Sequence, residues 1–191
     1  MNEADTATTA RFDELFHDNV ADVAAYCRWR TRSPADAEDA LGEVFLTAWR
    51  RLDDVPAPAS DARVWLYATA RRVTANQHRA ARRRMGLVDR IVESRRESMP
   101  SRSAVTENPD ADRVQSALAR LAPRDREVLL LAAWEELSTA QIAQVMGCSE
   151  GGARTRLHRA RKRFRTAFET LALDRVVTTC PARPLGGTDH A

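Results

Sequence analysis

Five side chains that can donate hydrogen bonds fall on one side of a predicted helix near the carboxyl end of the chain: Arg154, Thr155, His158, Arg159 and Lys162. The other side of the segment carries apolar or small residues, namely Ala153, Leu157, Ala160 and Phe164. This division is typical of an amphipathic helix that packs through one stripe. It predicts a helix that offers its donors to phosphates and base edges in a DNA major groove. An arginine-rich face is also common on an ordinary solvated surface, and that alternative stays open here.

A second, shorter helix is predicted just before the basic one. Ser138 and Gln141 form an S-x-x-Q capping box, which marks a helix start. Gly147 suits the left-handed conformation that ends many helices, and Ser149 can cap the next helix. The order of capped helix, glycine turn and basic helix predicts a helix-turn-helix.

The composition favours an all-α protein of one domain or two small ones. The chain has 191 residues, of which 43% are hydrophobic, and its apolar residues recur at helical spacing without convincing strand alternation. The formal net charge is +3, but residues 1–62 and 103–150 are acidic whereas 63–102 and 151–191 are basic. This alternation suggests two surfaces that face nucleic acid and two that face something else.

The sequence offers little for catalysis, metal binding or membrane insertion. Cys27, Cys148 and Cys180 are widely spaced and include no C-x-x-C pair, which argues for a reducing compartment and against a structural zinc site. We see no nucleophile–base set, phosphate-binding glycine loop or metal cluster, so we expect no enzyme activity and no cofactor. We see no membrane-spanning run and no signal peptide either, so we expect a cytoplasmic protein.

The first half of the chain predicts three helices. The first carries Phe12, Leu15, Phe16, Val20, Val23, Ala24 and Cys27 on its apolar face. Ser33, Pro34 and Asp36 mark the start of a second helix, which runs to about Leu52. The two prolines of residues 52–60 predict a loop. A third helix follows from about Asp61 to Arg84, and its second half is basic.

The second half predicts a linker, four helices and a tail. Between about Met85 and Ala111 the helical pattern weakens. It returns at Asp112, and Pro123 opens a helix whose expected apolar set is Val128, Leu129, Leu131, Ala132 and Trp134. The helix-turn-helix follows, and residues after about Asp174 are expected to be disordered.

Three segments together resemble an extracytoplasmic-function (ECF) RNA polymerase sigma factor of the actinobacterial kind. They are AEDALGEVFLTAWR (37–50), WLYATARRVTANQHRAARRR (65–84) and LAPRDREVLLLAAWEELSTAQIAQVMGCSEGGARTRLHRARKRF (121–164). The resemblance implies two small helical domains joined by a flexible linker. It places sigma region 2 at 10–85, the linker at 86–111, sigma region 4 at 112–172 and a disordered tail at 173–191.

The resemblance also implies which side chains meet which partner. The polymerase-docking positions are Asp39, Glu43, Phe45, Trp49 and Arg50, although Phe45 and Trp49 are also candidates for the core. The positions that would contact DNA in the first domain are Arg71, Arg72, Asn76, Arg79, Arg82 and Arg83. Those in the second domain are Arg154, Thr155, Arg156, His158, Arg159 and Lys162. The loop at 52–60 corresponds to one that captures a flipped promoter base, and Trp65 fits the core better than a stacking platform.

Some positions depart from the family pattern. Gly42 stands where glutamine is common in the docking helix, which costs helix stability and removes an amide. Arg72 and Asn76 replace the usual asparagine and aspartate, which makes that face more basic and leaves the downstream sequence preference open.

The resemblance implies core RNA polymerase, promoter DNA and an anti-sigma factor as partners. A stand-alone helix-turn-helix regulator would explain residues 112–171 equally well, but it leaves the acidic helix and the proline loop without a role. A helical adaptor whose basic faces bind an acidic protein is the third alternative.

Overall fold

The computed structural model describes residues 3–84 and 109–179, with side chains for 5–83 and 110–172. All regular elements in these ranges are helices: α1 (Glu3–Arg30), α2 (Pro34–Arg50), α3 (Ala59–Arg84), α4 (Pro109–Ala119), α5 (Pro123–Ala133), α6 (Thr139–Met146) and α7 (Glu150–Thr179), with a 3₁₀ turn at Leu52–Asp54. The expected all-α class and the two helical domains are confirmed. Most of the predicted linker lies outside the described residues.

Helices α1, α2 and α3 pack pairwise into the first domain. The start of α2 is fixed locally, because the backbone N–H of Asp36 donates to Ser33 Oγ at 3.1 Å and Pro34 occupies the first turn. Its buried face meets fully buried side chains from both neighbouring helices, including Val23 and Leu66.

The proline-containing loop between α2 and α3 is anchored at its base. Leu52, Val55 and Ala62 form a small separate core, and Arg11 Nη2 donates to the Val55 carbonyl at 2.7 Å. Pro56 and Pro58 lie between Val55 and Ala62, and α3 begins at Ala59, two residues before the predicted start. The loop is therefore shorter than the sequence indicated.

Helices α4 to α7 form the second domain, and its helix-turn-helix matches the prediction. Ser138 Oγ accepts from the Gln141 N–H while Gln141 Oε1 accepts from the Ser138 N–H, which completes the capping box. Gly147 has φ 64°, a left-handed conformation that glycine adopts without strain. Ser149 Oγ accepts from the N–H of Gly152 and caps α7.

Two expectations for the second domain were wrong. Trp134 is 69% exposed, because α5 ends at Ala133 and the chain turns so that the indole leaves the core. Helix α7 continues to Thr179, so residues 173–179 are not the disordered segment that we predicted. No proline or glycine interrupts the sequence between Gly152 and Pro181, so nothing in the backbone stops the helix earlier.

The two domains pack against each other through α3 and α6. Two acidic residues of the second domain, Glu127 and Glu135, are buried at this contact. Neither glutamate is among the predicted site residues.

Candidate nucleic-acid and protein interfaces

The basic face of α7 is exposed as predicted. Arg154, Thr155, His158, Arg159 and Lys162 are all solvent-facing. The apolar stripe faces inward, with Ala153 and Ala160 fully buried and Phe164 partly buried. Glu150 accepts from Arg154 Nη2 at 2.7 Å, one turn away on the same helix. An exposed pair of this kind is weak, so Arg154 stays available to a nucleic acid.

Arg156 lies apart from this face. Its Nη1 is 3.9 Å from an oxygen of the buried Asp125, which also forms an ion pair with Arg163. Arg156 and Arg163 therefore both meet an acidic neighbour of their own domain. A groove of about 460 Å³ opens here. Its lining comprises Asp125, Gly151, Gly152, Thr155, Arg156, Arg159 and Arg163. With four cationic or hydroxyl side chains, its chemistry suits a phosphate.

The predicted DNA-contacting residues of α3 separate into two groups. Arg72, Asn76, Arg79, Arg82 and Arg83 are exposed along one length of the helix, and Arg79 donates to the Asn76 side chain. Arg71 is different, since it faces the second domain and pairs with Glu127. Trp65 is partly buried against the core, as expected.

The predicted docking residues of α2 also fall into two groups, exposed and buried. Asp39, Glu43 and Arg50 are exposed, whereas Phe45 is only 5% exposed and packs edge-on against Phe16. Phe45 is therefore a core residue and not part of a docking surface, because α2 turns that side toward α1.

Trp49 and Leu46 form the apolar part of the exposed α2 face. Trp49 is 44% exposed and rests edge-on against Phe12, with ring centroids 5.0 Å apart. Leu46 is 42% exposed and was missed from the sequence. Its position, three residues after Glu43 on the same side of the helix, could have identified it.

Glu127 receives three donors from the first domain. Its Oε1 lies 2.8 Å from Arg30 Nη1, 3.0 Å from Arg71 Nε and 3.1 Å from the Tyr26 hydroxyl. The Glu127 side chain is 2% exposed. Burial and the neighbouring Glu127 raise the pKa of Tyr26 well above its ordinary value, so this phenol remains a donor.

Glu135 makes a second contact of the same kind. Its Oε2 accepts from the Tyr67 hydroxyl and lies 3.3 Å from Arg63 Nη2, and its carbonyl accepts from the same guanidinium at 3.1 Å. Burial raises the pKa of Glu135 although Tyr67 and Arg63 oppose this shift. Sequence reasoning missed both glutamates. The signal available was an acidic residue next to each end of the apolar run at 128–134.

Within the described residues, no three metal-binding side chains of the His, Cys, Asp and Glu types come together. No helix in the described ranges is long and apolar enough to span a membrane.

These features define a class, that of two-domain helical proteins built around a helix-turn-helix. The profile for Sigma-70 region 2 matches residues 15–84, and the profile for Sigma-70, region 4 matches residues 111–164. The ECF RNA polymerase sigma factor SigL of Mycobacterium tuberculosis is 32% identical over 179 residues, covering 92% of this chain and 98% of SigL. The RNA polymerase sigma-E factor of Streptomyces avermitilis is 31% identical over 144 residues, covering 74% of this chain and 75% of that protein.

Among solved structures, the chain is similar to the sigma factor RpoE of Bartonella quintana, which was crystallised with the anti-sigma factor NepR. The TM-score is 0.66 at 22% identity, and the match covers 83% of this chain and 96% of RpoE. This likeness concerns the fold. Taken with the sequence matches, it identifies the family: the chain belongs to the ECF RNA polymerase sigma factors. Members of this family are transcription initiation factors and not catalysts themselves.

Proposed function

We propose that this chain binds core RNA polymerase and directs it to promoters by recognising two DNA elements and stabilising strand opening. Its working units would be residues 10–85 and 112–172. The observation that carries the proposal is an exposed acidic and aromatic face on α2 in the same chain as an exposed basic recognition helix. A regulator that acts on DNA alone needs only the second of these.

The α2 face suits a basic partner surface. Asp39 and Glu43 are exposed and four residues apart, so their charges repel each other in the free protein. A cationic surface of the polymerase would relieve that repulsion. Trp49 and Leu46 would supply the apolar anchor at its centre, as large side chains commonly do in protein interfaces.

The first domain would hold the downstream promoter element. Extruding a base from the duplex costs a few kcal/mol, which a binding pocket and phosphate contacts must offset. The loop at 52–60 is the candidate for the pocket, and its anchored base would keep the pocket in place. The exposed arginines of α3 are the candidates for phosphate contacts.

The second domain would read the upstream element as duplex. Its candidates for base or backbone contact are Arg154, Thr155, His158, Arg159 and Lys162, with Arg156 nearer the phosphates. Each DNA-binding domain binds DNA weakly by itself. Joining the two domains on one chain raises their joint affinity through effective concentration. Polymerase would perform the chemistry, while this chain positions it.

We extend two further properties of the family to this chain. One is an anti-sigma factor that covers the polymerase-binding and DNA-binding faces, as NepR accompanies RpoE in its crystal structure. The other is location, since the chain would act where the polymerase acts, in the cytoplasm.

The test is gel filtration of the purified chain with bacterial core RNA polymerase, followed by promoter-dependent transcription. We expect co-elution and transcription from a subset of promoters. A folded chain that does not co-elute with active core, yet binds duplex DNA at nanomolar affinity, would favour the stand-alone regulator. A chain that binds neither would favour the adaptor.

A further inference from the structure

Asn76 and Arg79 form a side-chain pair on the exposed face of α3. A guanidinium nitrogen of Arg79 donates to Asn76 Oδ1, about one turn back along the helix. Because arginine carries donors and no acceptor, its partner is the amide oxygen of Asn76 and not the amide nitrogen. This contact occupies the acceptor atom of the Asn76 side chain and leaves the NH₂ group to bind a further partner.

The pair therefore offers donors alone. Asn76 contributes its amide N–H groups, and Arg79 contributes the guanidinium N–H groups that Asn76 does not use. A base edge that fits such a pair presents neighbouring acceptors. Guanine presents O6 beside N7, whereas adenine presents N7 beside the N6 amino group, which is itself a donor. The chemistry of the pair thus matches guanine and not adenine.

The pair lies on a side of α3 that DNA can reach. Arg72, Asn76, Arg79 and Arg83 are all exposed, and their spacing along the sequence places them on one side of the helix. The opposite side carries Thr74, which is fully buried. The two outer arginines can hold backbone phosphates on either side of a base that the central pair contacts.

We propose that Asn76 and Arg79 act together as a specificity-determining pair that selects guanine over adenine in the downstream promoter element. Arg79 is the positioning residue, because it occupies the oxygen with which an unpaired asparagine accepts from adenine N6. The inference rests on the proposed function for its place in the promoter, and it supplies the base chemistry that the proposed function leaves open. The same guanine edge is available in a melted strand and in the major groove of a duplex.

A simple phosphate contact by Arg79 has a different consequence. Removing a cation that only holds a phosphate weakens binding to every sequence alike, whereas removing a base contact changes which base is preferred. The ratio of the affinities for guanine and adenine is therefore the quantity that separates the two roles.

The experiment uses the full chain without polymerase. It measures binding to two short thymine oligonucleotides that carry either guanine or adenine at every third position, each as a single strand and annealed to its complement. Fluorescence anisotropy at physiological salt gives the affinities. We expect wild type to bind the guanine oligonucleotide at least about fivefold more tightly in one of the two forms, the lower end of what one good base contact discriminates. That form shows whether the pair contacts a melted strand or a duplex, and equal affinities in both forms would overturn the proposal.

Arg79→Met removes the guanidinium donors at a similar side-chain length and releases Asn76 Oδ1. We expect the preference to turn toward adenine, which a free asparagine contacts through N6 and N7. Asn76→Ala in the same background should abolish this gained preference, because the amide is the group that makes the contact. Persistence of the adenine preference in the double variant would refute the role of Asn76. Both positions are exposed, and circular dichroism checks that the variants fold.

The matched control is Arg83→Met, which removes the same charge from the same exposed side of α3, about one turn further along. It should weaken binding to both oligonucleotides by one factor and keep the preference for guanine. The proposal is wrong if Arg79→Met behaves like this control. It is also wrong if Arg79→Met loses the guanine preference without gaining one for adenine. Co-elution with polymerase is a separate measurement, so failure of the proposed function would not be mistaken for failure of this inference.

Discussion

Asp125, near the start of α5, forms an ion pair with Arg163 of α7. Its carboxylate also lies 3.9 Å from Nη1 of Arg156, one turn from the exposed basic face. Asp125 is 5% exposed, whereas the Arg163 side chain is 62% exposed. One buried anion therefore fixes two cations of the recognition helix relative to the domain that carries it.

Replacing Asp125 with asparagine should loosen this connection. We expect a loss of about 1 kcal/mol in the free energy of unfolding, the usual contribution of one hydrogen bond, because the exposed Arg163 regains water when its partner loses the charge. Urea unfolding followed by circular dichroism measures it. Asp112→Asn, at an exposed position of the same domain, is the control and should change stability little. Equal losses of stability in the two variants would show that Asp125 has no special structural role.

Alanine at Arg154 or Arg159 should weaken binding to the upstream promoter duplex. A bidentate contact to a base discriminates by roughly 1–3 kcal/mol, so each substitution should cost about that much if the side chain reads a base. Competition binding with matched and altered promoter duplexes measures the loss. Core polymerase binding should be unaffected, and Arg120→Ala, at an exposed turn, serves as control. Loss of polymerase binding together with DNA binding would count against the assignment.

Reversing Asp39 and Glu43 to lysine should weaken polymerase binding and spare duplex binding by α7. The reason is that two positive charges would face a surface that we infer to be basic. Glu14→Lys with Asp18→Lys is a matched control, because these residues are also acidic, exposed and four apart, but lie on α1. Surface plasmon resonance with immobilised core measures the difference. Similar losses of polymerase binding in the two double variants would refute docking through α2.

Gly42→Ala should stabilise the first domain. Gly42 is exposed inside α2, and nothing lies within 4 Å of the position that a Cβ would take. Alanine in a helix interior is about 0.8–1.0 kcal/mol more favourable than glycine. Gly147→Ala should do the opposite, since φ +64° costs a non-glycine residue roughly 1–2 kcal/mol. Denaturant midpoints measure both. A destabilising Gly42→Ala would contradict the open space seen around this position.

His78 should make the fold sensitive to acid. Burial, followed by the charges of Arg32 and Arg30, lowers the pKa of this half-buried imidazole, so the unfolded chain binds its proton at higher pH than the folded chain. Stability from this group is present above the ordinary histidine pKa and is lost as the pH falls through the lowered value. Between about pH 7.5 and about pH 5, His78→Gln should lose less unfolding free energy than wild type. Equal declines for wild type and His78→Gln would overturn the prediction.

The sequence by itself determined the elements whose signals are local. Ser33 with Pro34, and Ser138 with Gln141, place helix starts because their hydrogen bonds join residues three apart. Gly147 places the turn because one backbone angle decides it. The inward and outward faces of α7 follow from helical periodicity, which depends on residue order alone.

Tertiary structure decided what depends on distant neighbours. Phe45 and Trp49 are both aromatic and four residues apart, yet only the packing of α1 against α2 buries the first and leaves the second half-exposed. The partners of Glu127 come from the other domain, with Tyr26 lying 101 residues away in sequence. No local pattern encodes such a pairing, because Glu127 lies on α5 and its partners lie on α1 and α3. This pairing alone makes Arg71 a contact between domains.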